Sequence, residues 1–121
     1  MTIDDIRNHC LAKKCTTEEF PFDENTLVFK VLGKMFTLAP LSKWEAGEAT
    51  ITLKCDPEYT DELRGQYGSI FPGPYVSNKH WNTVAIYKNE LRPQFVLELI
   101  DHSYDMVVKG MTKKLRAQLE L

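Results

Sequence analysis

A chain of 121 residues, 43% hydrophobic and 26% charged, has the make-up of a single globular domain spanning 1–121, long enough to bury a core. A net charge of −2 argues against wholesale electrostatic attraction to nucleic acid, and no apolar run approaches the roughly 18 residues of a membrane span. No basic-then-apolar leader opens the chain, so a cytoplasmic location is expected. The cysteines Cys10, Cys15 and Cys55 are not spaced as zinc ligands and read as reduced thiols.

Thr2 followed by Asp5 predicts an N-cap and a helix over residues 3–14, with Ile3, Ile6 and Cys10 along one side. Thr16–Asn25 reads as a connector, with Phe20 and Phe22 plugging the core around Pro21. Leu27–Leu32 and Met35–Leu41 form a predicted hairpin, in which the glycine of Gly33-Lys34 suits a type II′ turn. Trp44–Glu48 is a second connector. Ala49–Cys55 then alternates cleanly, with Ile51, Leu53 and Cys55 on one face and Thr50, Thr52 and Lys54 on the other.

Asp56-Pro57-Glu58 is the strongest local signal. Asp caps, Pro takes the first helical position, and Glu meets the positive end of the helix dipole, so a helix should run to about Gln66. Tyr75–Val76 is a candidate short strand and Trp81–Tyr87 a longer one. Pro93–Val108 carries apolar residues at helical spacing, Gly110 supplies the stop, and Thr112 caps a short basic tail helix. This order of elements predicts an α+β sandwich, a mostly antiparallel sheet with helices packed on one face, and leaves the other face uncovered.

Chemistry is harder to place. No phosphate-cradling glycine loop, serine elbow or metal-ligand spacing is present, so no catalytic centre, metal or cofactor is expected. Cys10 reads as a structural thiol beside His9. Asp101, His102 and Ser103 are consecutive on one helix and cannot form a triad, so His102 is expected to hydrogen-bond across to the sheet or a loop. The densest polar stretch is Tyr75–Val84, which gathers Asn78, Lys79, His80, Trp81 and Asn82 behind a Pro-Gly-Pro turn. Alternation places Trp81 opposite Val84 and Ile86, on the outward side. Charge is segregated too: residues 27–55, 67–92 and 109–121 are net positive, and the segments between them net negative.

Thr16–Phe22, Leu27–Phe36, Leu53–Glu58, Asn78–Val84 and Leu99–Tyr104, closed by Lys113–Arg116, together resemble the MmcQ/YjbR family over nearly the whole chain. The resemblance implies a CyaY-like fold and a bacterial DNA-binding protein, without fixing site residues. One departure is Ala12-Lys13-Lys14-Cys15, where the family tends to have an apolar-Pro-Gly helix stop. A DNA-binding reading would set Lys30, Lys34, Lys54, Lys79, Arg92, Lys113, Lys114 and Arg116 against phosphates, with Trp81 or Asn82 approaching bases and His80 within the same binding surface. The alternative is a module that binds a protein or small ligand on the uncovered sheet face.

Overall fold

The computed structural model describes residues 1–74 and 76–120. In chain order its elements are α1 (Ile3–Leu11), β1 (Thr16–Glu19), β2 (Thr26–Val31), β3 (Lys34–Pro40), α2 (Leu41–Glu45), β4 (Thr50–Lys54), α3 (Pro57–Gln66), β5 (Ile70–Pro72), β6 (Trp81–Ala85), α4 (Pro93–Lys109) and α5 (Lys113–Arg116). The strands form one antiparallel sheet in the order β1-β2-β3-β4-β6-β5. This is the expected α+β sandwich, with α1 and α4 laid against one face.

Local rules account for most element ends. Thr2 and Asp5 form a reciprocal capping box at α1, and the Asp56 carboxylate accepts the N–H groups of Glu58 and Tyr59 at the start of α3. α1 stops at Leu11, three residues short of expectation. Cys15 then adopts a φ of 58°, a conformation that glycine would take without strain. The hairpin turn is Leu32-Gly33, not Gly33-Lys34. Both residues have positive φ, 49° and 81°, so the turn is type I′ rather than II′.

Two connector expectations and one strand expectation are corrected. Thr16–Glu19 is an edge strand paired to β2, and Phe20 and Phe22 are 49% and 64% exposed rather than core plugs. Trp44 lies in α2, where its indole N–H donates to the Thr50 carbonyl at 3.0 Å. The strand expected at Tyr75–Val76 is not seen at Val76. Tyr75 lies outside the described residues, and β5 comes earlier, at Ile70–Pro72.

Packing explains why the helices choose one face. Ile51 and Leu53 of β4, and Cys55 just after it, join Phe29, Phe36, Ile70 and Val84 beneath Val96, Leu99, Ile100 and Val107 of α4. Burying each large apolar side chain there stabilises the fold by about 1.5–3 kcal/mol. Ser103 sets the helix in register. Its hydroxyl donates to the Phe36 carbonyl at 2.6 Å and accepts the Lys54 N–H at 2.8 Å, tying α4 to β3 and β4 together.

His102, one residue earlier, behaves as expected. Its Nε2 accepts the Asp56 N–H at 3.2 Å, and its ring meets Tyr59 edge-on at 5.2 Å. Burial holds this imidazole below its ordinary value, outweighing the opposite pull of Asp56 and Asp105. The unfolded chain therefore takes the proton first as pH falls. Stability is complete above the ordinary value of 6.5 and is lost as pH drops from there toward the folded value. His102→Gln, which keeps an acceptor, should show a shallower loss of urea midpoint between roughly pH 7 and pH 5 than the native chain. Identical pH profiles would remove His102 from the account.

Candidate functional site

The sheet has two ends, and pairing shows which residues share one. β3 begins at Lys34, opposite Val31, and Lys30 lies opposite Met35. β4 ends at Lys54, opposite Trp81, the first residue of β6. The turn before β6 is stitched to the same place: the Cys55 N–H donates to the His80 carbonyl at 2.8 Å. Lys30, Lys34, Lys54, Lys79 and His80 thus come from four segments to one pole of the sheet.

The C-terminal end of α4 closes over that pole. Gly33, Lys34, Met35 and Lys54 line a cavity of about 340 Å³ with Val107, Gly110 and Met111. Lys113 and Lys114 follow on the exposed start of α5, and Arg116 ends it, also exposed. Arg92 does not belong with them. It caps the N-terminus of α4, whose other end covers the pole.

Few of these cations are neutralised. Among the described residues, Lys34, Lys54, Lys79, Lys113, Lys114 and Arg116 have no carboxylate within 4.0 Å. Lys30 pairs with Glu19 at 3.4 Å across β1 and β2. Both partners are partly solvated, so that pair contributes under about 1 kcal/mol and does not hold Lys30 away from another anion. The nearest acid in sequence, Asp56, has its carboxylate turned into the α3 cap.

Two expected base-contacting residues are placed differently. Asn82 points to the helix side, opposite Leu53, and is 3% exposed. Its amide donates to Thr60 Oγ1 at 3.1 Å and its carbonyl accepts Arg64 Nε at 2.7 Å. Arg64 also reaches the carbonyls of Asn78 and Trp81, so it holds the turn that carries Lys79 and His80. Asn82 is a structural side chain, not a base reader. Trp81 does face away from the helices, as alternation predicts, but it is only 9% exposed.

The reason is that the outer face is half covered. Gly73 lies so close to Thr52 and Thr83 that a Cβ there would meet the Thr52 methyl at 3.0 Å and Val76 Cγ2 at 2.9 Å. The loop after β5 therefore rests on the β4 and β6 side of the sheet, where Thr52 and Thr83 hydrogen-bond beneath it at 3.1 Å. Among the described residues the more open part of this face lies over β3, at Met35, Leu38 and Pro40, with Val28 of β2 and Thr52 of β4 buried beside it. It carries a groove of about 500 Å³ lined by Phe22, Met35, Leu38, Pro40, Thr52 and Val76, among others.

Sequence reading missed this groove because of a β-bulge. Phe29 pairs with Thr37 but Lys30 pairs with Met35, so Phe36 is an extra residue in β3. Met35 and Leu38 reach the same face although three residues apart, which strict alternation forbids. The exposed Phe20-Pro21-Phe22 was the one visible clue.

Elsewhere the polar chemistry is structural. Asp101 pairs with His9 at 2.7 Å and Lys13 at 2.6 Å, clasping α1 to α4. Burial pushes this carboxyl up, but those two partners outweigh it and hold it below the usual range. Cys10 is buried against Thr37, and burial raises its thiol to about 12, far from a reactive thiolate. Among the described residues, no three His, Cys, Asp or Glu side chains converge to hold a metal.

Fold and site together define a small α+β protein with a half-open sheet face and a cationic pole. A model of the YjbR family matches residues 11–106, and the chain belongs to that family. It is similar to the uncharacterised Escherichia coli proteins YbdF (34% identity over 78% of this chain and 75% of the relative) and YjbR (26% over 98% of both). The crystal structure of Deinococcus radiodurans protein DR2400 superposes with a TM-score of 0.86 at 38% identity, over 99% of this chain and 88% of that one. A Pseudomonas syringae protein shares the fold at a TM-score of 0.71 and 24% identity, over 88% of this chain and 99% of its own.

Asn82→Ala separates the structural role from a base-reading one. It should cost about 1–3 kcal/mol, read as a lowered urea midpoint, because Arg64 and Thr60 each lose a buried partner. A chain of unchanged stability would contradict the placement.

Proposed function

We propose that this protein is a non-enzymatic, cytoplasmic nucleic-acid-binding protein whose cationic pole engages backbone phosphates. The observation that carries the reading is the convergence of Lys30, Lys34, Lys54 and Lys79 from four chain segments, with three of them free of carboxylate partners among the described residues. Unpaired ammonium groups gathered on one surface suit a polyanion, and local charge governs such contacts even in a mildly acidic chain. His80 is half-buried beside Lys79, and Lys113, Lys114 and Arg116 extend the surface. With Asn82 occupied in the fold and Trp81 beneath a loop, contacts to phosphate rather than to base edges in a duplex groove dominate. Affinity with little sequence preference is the consequence.

The open groove favours a second reading, in which a small apolar ligand or a protein segment occupies the sheet face. Salt dependence separates the two. Binding of a mixed-sequence oligonucleotide should weaken steeply as salt rises, and Lys34→Gln or Lys54→Gln should each lower the slope of log K against log salt by about 0.7–0.9. Arg92→Gln, placed away from the pole, should leave the slope unchanged. A shallow slope indifferent to all three substitutions would overturn the phosphate reading.

A further inference from the structure

The groove and the lysine cavity adjoin at one residue. Met35 lines both: on one side lie Phe22, Leu38, Thr52 and Val76, and on the other Lys34 and Lys54. The floor is formed by residues in register across three strands, Thr26 opposite Pro40 and Leu38 opposite Thr52. A mostly apolar groove of about 500 Å³ thus adjoins a cavity of about 340 Å³ lined by two lysines that have no carboxylate partner among the described residues. The lone carboxylate of the groove, Asp23, is turned into its own loop, where it accepts the N–H groups of Asn25 and Thr26.

This combination discriminates between forms of nucleic acid. Reading a duplex in its major groove takes a free helix or a free two-stranded ribbon. Neither suits a duplex among the described elements. α1, α3 and α4 turn acids to solvent (Asp4 and Asp5, Asp61 and Glu62, Glu98 and Asp105), which repel phosphates. α2 and α5 are five and four residues long, and the β2–β3 hairpin is flanked by β1 and β4. An unpaired base, by contrast, is a flat apolar body joined to an anionic backbone. It needs an apolar floor, an aromatic ring to lie against, and cations one step away. Phe22 is 64% exposed on the rim of the groove and supplies that ring.

We infer that the open half of the sheet face takes an unpaired base of a single-stranded nucleic acid between Phe22 and the Met35–Leu38 floor, with the adjoining phosphate on Lys34 and Lys54. The inference rests on the phosphate-binding reading and sharpens it from nucleic acid in general to single strands. Phe22 makes the most direct test, since truncating a side chain this exposed does not threaten the core.

The experiment is fluorescence anisotropy with a labelled oligothymidylate and a labelled hairpin duplex of matched charge, at one salt concentration and again across a salt series. The native chain should prefer the single strand. Phe22→Ala should weaken single-strand binding by about five- to a hundredfold, leave its salt slope unchanged, and leave duplex binding unaltered. Equal binding of both forms, or a Phe22→Ala chain that binds the single strand like the native one, overturns the inference while leaving the phosphate reading standing. Binding to neither form ends both. An apolar dye that occupies the groove and is not displaced by oligothymidylate also overturns the inference, in favour of a small ligand.

Discussion

Everything in this molecule follows from a shortage of helix. A six-stranded antiparallel sheet has two faces, and one layer of helices can cover only one of them. The β4 strand decides which, because Ile51 and Leu53 point one way and α4 packs over them. The opposite face is left to loops. The segment after β5 covers half of it, held down by the close approach of Gly73 to Thr52 and anchored at its far end by Arg64. What stays more open, among the described residues, is the strip over β3 at Met35, Leu38 and Pro40.

The cationic pole is a second consequence of the same topology. Antiparallel neighbours bring the start of β3, the end of β4 and the start of β6 to one end of the sheet, so lysines remote in sequence become neighbours there. An overall charge of −2 conceals this, since acids elsewhere are engaged in the fold. Asp56 caps a helix, Asp101 clasps His9 and Lys13, and Glu18 grips Arg7 at 2.6 Å. Many negative charges thus have internal partners, whereas Lys34 and Lys79 at the pole are exposed and, like Lys54, have no carboxylate partner among the described residues.

The fold was legible in the sequence wherever one local rule acted alone. The Asp56-Pro57 start of α3, the alternation of β4, the helical spacing of α4 and the Thr112 cap all lie where those rules put them. Errors came where two rules competed. Leu32 accepts a positive φ because the tight I′ turn suits the twist of its strands, against the ordinary preference that favoured Gly33-Lys34. Thr16–Glu19 looked like a polar connector because an edge strand needs little apolar content. The site was half legible. Charge segregation and alternation pointed to the lysines and to the side Trp81 faces, but burial of that indole depends on a loop folding back, which no periodicity encodes. The bulge at Phe36 hid the groove for a similar reason.

The central claim is that ligand meets this protein at one pole and along the open strip of its outer sheet face. Amide chemical-shift mapping during titration with a single-stranded oligonucleotide tests it most directly. The account predicts perturbations concentrated at Lys30, Lys34, Met35, Leu38, Thr52 and Lys54, with the amides around Arg92 and along α1 unmoved. Shifts centred on Arg92 or α1, or none at all at saturating oligonucleotide, would contradict it.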